Sequence, residues 1–400
     1  MTSLNDCNAL CELLVKTIAS GKFEAQKPEF DRTAFVADEL KKIGCFVETK
    51  IIENTPNVIA YFGNKNAKKS ICFCGHCDVV PVFNNWSKNY KGEIVGDRVY
   101  GRGAVDMLGG VVCWMYALQQ LSPDILERVK IATILTGDEE GYGTNGIIKF
   151  ADYLKQKGEL FDACMVGEPT SEYAYNFDGD LDKEKLYALS YSRSGSYHFT
   201  ITIKGKSGHI AYFDEFDNPI YKASRLCLAL KDIKFDGATN LEVYGFNGVN
   251  ATDNVVLENV ALEVNVRFDA KYGKDIVKQK VIDTCKKVLG DSAFDIKDEC
   301  SRLGFSSDIE SDFCQLAMGV MKKYNENSMF VKSKACTDAE YMTKICKSVC
   351  EIGLKCKTMH KPDEYTTKQD LQQLMYIYRD IITEFALNYN ADIKSITINY

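Results

Sequence analysis

The sequence predicts an α/β protein in which a sheet covered by helices carries an inserted α+β domain. The chain has 400 residues, of which 46% are hydrophobic, and this length favours two hydrophobic cores over one. Strand-like segments alternate with helical patterns from residue 30 to about 170, and the pattern changes after about 190. We therefore expect a first domain made of 1–190 and 304–400, and an inserted domain over 191–303.

The first domain is predicted from its alternating strands and helices. An amphipathic helix over "MTSLNDCNALCELLVKTIAS" begins the chain, and a helix over "GGVVCWMYALQQL" lies between strands. The predicted strands are "NVIAYFG", "SICFCGHCDVV", "RVKIATILTGDEE" and "ACMVGEP". Several of these segments end in polar or acidic residues, at the position where open α/β sheets bind their ligands.

The inserted domain is predicted from strands of period two around two helices. The strands are "YHFTITIKGKSG", "NLEVYGFNG" and "NVVLENVALEVNVRFD", and the helices begin at "NPIYKASRLCLALKDI" and "KDIVKQKVIDTCKKVLG". This order is strand, helix, strand, strand, helix. After about 305 the helical pattern resumes and ends in "TTKQDLQQLMYIYRDIITEFAL", which we expect to return to the first domain.

Composition argues against several classes of function. The formal net charge is −7 and no block of Lys or Arg stands out, so we expect a small-molecule partner and no nucleic acid. No apolar run approaches the roughly 20 residues of a membrane span. The amino terminus lacks the pattern of an export signal, so we expect a cytoplasmic protein whose 16 cysteines are reduced thiols.

Three of those cysteines lie along one strand. Cys72, Cys74 and Cys77 do not repeat as the paired CxxC units of zinc-binding knuckles. A structural zinc site is therefore not expected here, and the three thiols are interpreted as small hydrophobic residues.

The stretch "ICFCGHCDVVPV" places two polar residues in this apolar strand. His76 and Asp78 are two residues apart, so they point to the same face, and the carboxylate can accept the imidazole N–H and fix its tautomer. That arrangement supports metal-binding histidines, but a buried His–Asp pair without a metal has the same pattern. The two interpretations stay open on this pair alone.

Four other segments offer imidazole or carboxylate groups. Asp106 lies among glycines in "YGRGAVDMLGG", and an acidic triplet, 138–140, closes a strand in "LTGDEEGYGTNG". Each is also typical of an ordinary turn, although neighbouring carboxylates at a strand end favour a cation. Glu168 follows another strand in "VGEPTS", and His360 lies in "MHKPDEY". Together the five segments supply the mixed nitrogen and oxygen donors that suit zinc or a similar divalent ion.

These motifs, taken in order, resemble the signature of the M20 family of co-catalytic metallohydrolases. The segments are "GHCDVVP", "YGRGAVDMLGG", "DEEGYGTNG", "GEPTS", "KGKSGHIAY" and "HKPDEY", and they span roughly residues 70 to 370. The resemblance implies a mixed-sheet, zinc-exopeptidase-like catalytic domain covered by helices. It also implies that the inserted α+β domain is ferredoxin-like and serves as a lid and dimerisation domain.

The resemblance implies a role for each candidate residue of the first domain. Two divalent ions are expected, zinc first, with cobalt or manganese possible. Asp78 would orient His76, and Glu139 would be the general base that takes a proton from the attacking water and returns it to the leaving amine. The implied metal ligands are His76 and Glu168 for one ion, Glu140 and His360 for the other, and Asp106 as the bridge.

The inserted domain is expected to complete the site in a homodimer. His209 in "KSGHIAYF" matches the family's histidine that crosses from the partner subunit and stabilises the oxyanion. His198 has no such counterpart and is interpreted as an ordinary strand residue.

Substrate contacts are implied by similarity to the desuccinylase members of the family. Two arginines suit a substrate rich in carboxylates, and N-succinyl-LL-2,6-diaminopimelate, hydrolysed to succinate and LL-diaminopimelate, is the substrate implied. For either arginine an ordinary surface charge on a strand is the alternative. The residues implied are Arg193, Ser196, His209, Tyr212, Asn254 and Arg267.

Several positions depart from the family's pattern. Leu108 replaces a lysine, Phe213 and Leu257 replace prolines, and Cys336 lies where the desuccinylases have a Gly-Thr-Ser-Asp loop. "HKPDEY" is closer to acetylornithine deacetylase, which is the alternative, followed by a broader aminoacylase or dipeptidase. Two other classes, a cysteine hydrolase using Cys77 beside His76 and a metal-binding protein without catalysis, are less consistent with the pattern.

Overall fold

The computed structural model describes residues 4–24, 27–83, 85–141, 143–171, 186, 188–235, 239–249, 252–333 and 335–389. The chain divides into two compact units. The first unit comprises Met1–Tyr191, Ser307–Ser333 and Thr337–Tyr400, and the second comprises Ser192–Ser306 and Lys334–Cys336. The main segment of the second unit thus has bounds close to those expected for the inserted domain, 191–303.

The first unit is built on a mixed sheet, as predicted. Its strands lie in the order β1-β2-β6-β3-β7-β17-β8, and β16 also pairs with β8. The central strands β6, β3, β7 and β17 are parallel, whereas β1, β2 and β8 join antiparallel. The strands are β1 (Phe46–Ile52), β2 (Thr55–Gly63), β3 (Lys69–His76), β6 (Val129–Thr136), β7 (Phe161–Val166), β8 (Ala188–Arg193), β16 (Met329–Ser333) and β17 (Cys346–Glu351).

Helices accompany this sheet because the sequence alternates strand and helix periods. They are α1 (Leu4–Ala19), α2 (Asp31–Ile43), α3 (Leu108–Gln119), α4 (Pro123–Arg128), α5 (Ile147–Gln156), α8 (Asp312–Tyr324), α9 (Ala339–Met342) and α10 (Lys368–Asn388). Aromatic packing joins α3 and α10 to β3: the rings of Phe73 and Trp114 stack at 4.9 Å, and Tyr378 meets both edge-on. Among the described helices, none is both long and apolar enough to span a bilayer.

A small sheet brings two distant loops of the first unit together. It consists of β4 (Glu93–Val95), β5 (Arg98–Tyr100) and β18 (Tyr365–Thr367), in the order β18-β5-β4. Tyr365 pairs with Tyr100 in an antiparallel register. The loop after β5 therefore lies beside the loop before β18, although more than 250 residues separate them along the chain.

The second unit has the ferredoxin-like order of elements. Its antiparallel sheet has the strand order β11-β13-β9-β14, with α6 and α7 as the two connecting helices. The last strand, β14, was missing from the sequence prediction, because its charged, half-exposed residues lack a continuous apolar face. The elements are β9 (Gly195–Lys204), β10 (Gly208–His209), α6 (Pro219–Lys231), β11 (Asn240–Asn247), β12 (Val255–Val256), β13 (Asn259–Phe268), α7 (Gly273–Leu289), β14 (Phe294–Arg302) and β15 (Phe305–Ser306).

Candidate active site

The candidate site lies where three parallel strands of the first unit end. β3 ends at His76, which pairs in register with Thr136, the last residue of β6. Glu139 and Glu140 follow β6, and Glu168 follows β7 two residues after Val166. Because parallel strands bring their carboxyl ends to one edge of the sheet, three separate segments deliver these side chains to one place.

The two remaining ligand candidates are positioned by α3 and by the small sheet. Asp106 lies just before α3, and His360 lies in the loop before β18. His360 has a φ of +62°, a left-handed conformation that is uncommon for a residue with a side chain. Such backbone strain is typical of functional sites, where the surrounding structure holds a side chain in a particular direction.

Asp106 lies between the two histidines. Its Oδ1 is 3.2 Å from His76 Nε2, and its Oδ2 is 3.0 Å from His360 Nε2. On one side His76 Nε2 lies 3.7 Å from Glu168 Oε1, and on the other His360 Nε2 lies 2.9 Å from Glu140 Oε1. The structure thus brings all five predicted ligands into one cluster, with one carboxylate shared between two halves.

Asp78 contacts His76 differently from the prediction. The His76 Nδ1–H donates to the Asp78 backbone carbonyl oxygen at 2.9 Å, whereas the Asp78 carboxylate is 3.7 Å from Nδ1. The carboxylate instead accepts hydrogen bonds from the backbone N–H groups of Glu139 and Glu140. Asp78 therefore contacts the His76 ring through its main chain and the acidic loop through its side chain.

Glu139 lies beside one half of the cluster. One carboxylate oxygen of Glu139, one of Glu168 and a ring nitrogen of His76 all lie within 4.8 Å of one another. Helix α3 packs tightly against the segment that carries Glu168. A Cβ on Gly110 of this helix would lie only 2.7 Å from the carbonyl oxygen of Gly167, so the close approach requires glycine.

The close packing of acidic and imidazole groups in this cluster shifts their pKa values. Burial opposes a charge on His76, but the hydrogen bond to Asp106 and the nearby Asp78 raise the pKa of His76 well above its usual range. Hydrogen bonds to Asp106 and Glu140 raise the pKa of His360 to about 10. Burial, together with the charge of Asp106, raises the pKa of Glu140 to about 7. His76, His360 and Glu140 thus tend to hold protons in this acidic cluster, and a divalent cation could replace those protons.

A buried ion pair beneath the cluster was not predicted. Arg102 Nη1 donates to Glu364 Oε2 at 2.5 Å, and both side chains are at most 1% exposed. The other oxygen, Glu364 Oε1, accepts from the backbone N–H groups of Val105 at 2.9 Å and Asp106 at 3.2 Å. The pair therefore ties the loop of Asp106 to the segment that carries His360. Arg102 lies among glycines and apolar residues in "YGRGAVDMLGG", so its charge was an available signal. Glu364 lies among other charged residues in "HKPDEY", where no local signal marks it.

Cys77, the rival nucleophile, is unsuited to that role. Its side chain is fully buried, and burial raises the pKa of its thiol to about 12. A nucleophilic cysteine needs a thiolate that substrate can reach. The structure therefore does not support a cysteine hydrolase at this position.

Three predicted substrate residues lie together in the second unit. His209 Nε2 and Asn254 Nδ2 are 3.2 Å apart, and the rings of His209 and Tyr212 lie 5.8 Å apart. All three side chains are exposed, with Tyr212 at 60%. They form a polar, accessible group on the segments around β10 and β12.

The other three predicted substrate residues lie on strands: Ser196 and Arg267 within the second unit, and Arg193 at the end of β8, where the chain passes into that unit. Ser196 on β9 pairs in register with Arg267 on β13, and Arg267 Nη1 lies 3.1 Å from Cys336 Sγ. Arg193 is only 2% exposed and pairs with Phe305. Arg267 is thus an exposed cation on the sheet, whereas Arg193 is buried and does not fit the alternative of a surface charge.

The site consists of two imidazole–carboxylate pairs that share Asp106, at the edge where the parallel strands end. This geometry is that of a candidate metal-dependent hydrolase. The model of the peptidase family M20/M25/M40 matches residues 72–384. The chain therefore belongs to peptidase family M20/M25/M40, and it is a hydrolase of that family.

Sequence relatives agree with this assignment, and a solved structure shares the fold. The chain is 32% identical over 385 residues to a succinyl-diaminopimelate desuccinylase of Rickettsia bellii, covering 90% of this chain and 94% of the relative. It is 32% identical over 370 residues to the protein of that name from Pelagibacter ubique, covering 88% and 92%. The fold is similar to that of aminopeptidase PepT from Bacillus cereus, with a TM-score of 0.76 and 15% identity over 95% of this chain and 99% of that one.

Proposed function

We propose that the protein hydrolyses the amide bond of N-succinyl-LL-2,6-diaminopimelate with the help of two divalent metal ions, giving succinate and LL-diaminopimelate. The observation that carries the proposal is the Asp106 carboxylate, which offers one oxygen to His76 and the other to His360. A carboxylate shared between two imidazole–carboxylate pairs is suited to a two-ion site.

The spacing of the ligand atoms fits such ions. Two ligand atoms bound at about 2.1 Å to one tetrahedral zinc ion lie about 3.4 Å apart. The contacts of the two histidines with their carboxylates range from 2.9 to 3.7 Å. We assign His76 and Glu168 to one ion, and Glu140 and His360 to the other, with Asp106 shared. When bound, the ions would lower the pKa of water and polarise the amide carbonyl.

Glu139 is proposed as the group that moves the proton. It would accept a proton from the attacking water and pass it to the leaving amine nitrogen as the C–N bond breaks. The water oxygen remains on the acyl carbon, so the products are a carboxylate and a free amine. Asp78 supports this role because its carboxylate accepts the backbone N–H of Glu139 and so holds the loop that carries the base.

The substrate is proposed from the names of the relatives and from the charges of the second unit. N-succinyl-diaminopimelate carries several carboxylates, for which arginine is a good partner because its guanidinium can donate two parallel hydrogen bonds. Arg193 and Arg267 are proposed to bind those carboxylates, with Ser196, Tyr212 and Asn254 beside them. The departures at Leu108, Phe213, Leu257 and Cys336 keep acetylornithine deacetylase as the second candidate.

We propose a homodimer formed through the second unit. β11 lies at one edge of its sheet, so its outer hydrogen-bonding groups can pair with a second strand. Tyr244 and Phe246 on this strand are 63% and 46% exposed, and Tyr221 and Leu228 on α6 are each 67% exposed. Large apolar side chains concentrated at one sheet edge favour an interface. His209 would then stabilise the oxyanion in the partner subunit's site.

A side-by-side assay tests the proposed substrate. Zinc-loaded protein is given N-succinyl-LL-diaminopimelate or N-acetylornithine, and kcat/KM is measured for each. We expect a preference of about 100-fold or more for the succinyl compound, because binding groups placed for a second carboxylate would be left unpaired by an acetyl group. A preference for N-acetylornithine would instead assign the protein to the second candidate function.

A further inference from the structure

Three cysteine thiols from three neighbouring strands meet inside the first unit. Cys72 lies on β3, Cys164 on β7 and Cys346 on β17, and these strands are adjacent in the sheet order β3-β7-β17. Their Sγ atoms all lie within 4.8 Å of one another, and those of Cys72 and Cys346 are 3.5 Å apart. Cys72 and Cys164 are 0% exposed and Cys346 is 5% exposed. We call these three residues the thiol cluster.

The thiol cluster is separate from the candidate active site. Cys72 precedes His76 by four residues on β3, which at a rise of about 3.3 Å per residue corresponds to about 13 Å along the strand. Its donors are also of a different kind. The active-site cluster offers imidazole and carboxylate groups, which suit zinc, cobalt or manganese, whereas sulfur ligands select soft ions.

The spacing of the sulfur atoms fits a three-coordinate metal site. With metal–sulfur bonds of about 2.3 Å, three sulfur atoms around one trigonal ion lie about 4.0 Å from one another. The thiol cluster has its sulfur atoms at 3.5 Å for one pair and within 4.8 Å for all. Small side-chain adjustments would therefore bring all three sulfurs into bonding distance of a central ion.

The number and environment of the thiols indicate which ion. Among the described residues, no fourth His, Cys, Asp or Glu side chain joins the three sulfur donors at this distance, whereas structural zinc sites have four ligands. The three donors are also all sulfur atoms, which suits a soft ion.

We propose that Cys72, Cys164 and Cys346 form a second metal site, which binds one Cu(I) ion and links the three central strands of the first unit. Cu(I) is soft, monovalent and accepts three sulfur ligands. Each thiol that binds as a thiolate releases its proton to solvent, and neither the metal nor the sulfur changes oxidation state. The site is independent of the proposed amide hydrolysis.

Copper titration of the reduced full-length protein tests this proposal. The protein is incubated with Cu(I) in competition with a Cu(I) chelator, and the bound copper is counted for wild type and for Cys72→Ala, Cys164→Ala and Cys346→Ala. We expect each of these variants to bind one ion fewer than wild type. Cys74→Ala is the matched control, because Cys74 is equally buried on β3 but lies outside the thiol cluster, and it should bind as wild type does.

X-ray absorption of wild type loaded with one equivalent of Cu(I) gives a test that needs no variant. We expect a first coordination shell of three sulfur atoms. A shell of nitrogen and oxygen atoms would overturn the proposal. An unchanged copper count in all three folded variants would also overturn it, because the thiols would then be packed together without binding a metal. Because hydrolysis and copper binding are measured separately, failure of one proposal leaves the other intact.

Discussion

Both carboxylate oxygens of Asp78 accept the backbone N–H of Glu139, at 3.1 and 3.0 Å. The same carboxylate also accepts the N–H of Glu140 at 2.8 Å. One side chain at the end of β3 thereby holds the loop that follows β6. The proposed base and one proposed metal ligand both belong to that loop, so their positions depend on Asp78.

Asp78→Asn is expected to lower the rate of hydrolysis without loss of the bound metal ions. The asparagine NH2 group would face backbone N–H groups, so the loop would shift and Glu139 would be misplaced. We expect kcat to fall about 10- to 100-fold, as is typical for residues that orient metal ligands. Kinetics with metal analysis measures this, and two ions per chain should remain. An unchanged kcat would show that the Asp78 contact does not position the base.

Glu364→Gln is expected to destabilise the first unit strongly. It leaves the buried Arg102 charge without its partner and weakens the acceptor for the N–H groups of Val105 and Asp106. Breaking a buried ion pair costs about 3–5 kcal/mol of unfolding free energy. Urea denaturation measures the loss.

The matched control for this prediction is an exposed ion pair. Arg128 and Asp124 also form an ion pair, but their side chains are 51% and 67% exposed. We expect Arg128→Gln to cost only about 0–1 kcal/mol. Equal losses in the two variants would contradict the special role assigned to the Arg102–Glu364 pair.

Metal removal is expected to abolish hydrolysis, whereas thiol alkylation should leave it intact. A chelator would strip the ions from the histidine and carboxylate cluster, and added zinc should restore turnover. Iodoacetamide should react with the partly exposed thiols but not with Cys77, which is buried and has a raised pKa. Loss of activity that coincides with alkylation of Cys77, with metal retained, would favour the cysteine hydrolase instead.

The dimer prediction is tested at the edge strand β11. Tyr244→Lys combined with Phe246→Lys places charge on this edge, and we expect sedimentation analysis to show monomers. Loss of the dimer should also lower the rate of hydrolysis, since His209 would no longer reach the partner subunit's site. Glu299→Lys on the opposite edge strand, β14, is the control and should leave both unchanged. A fully active monomer would contradict the role proposed for His209.

Strand ends explain why much of the site could be predicted from the sequence. His76, Glu140 and Glu168 each follow or end an apolar strand, and parallel pairing then brings them together. The hydrogen bonds of the Asp78 carboxylate could not be predicted, because they depend on the conformation of the loop that follows β6 and on its contact with the residues after β3. The Arg102–Glu364 pair and the thiol cluster also join residues that are far apart in sequence, and no local pattern shows which of them meet.

Glu139→Gln tests the central claim most directly, because glutamine keeps the shape of the side chain but cannot accept the proton. The variant is loaded with zinc, its metal content is measured, and its turnover of N-succinyl-LL-diaminopimelate is compared with that of wild type. We expect two ions per chain and a kcat lower by about 10²- to 10⁴-fold, the usual contribution of a general base. A variant that retains both ions and full turnover would contradict the proposed mechanism.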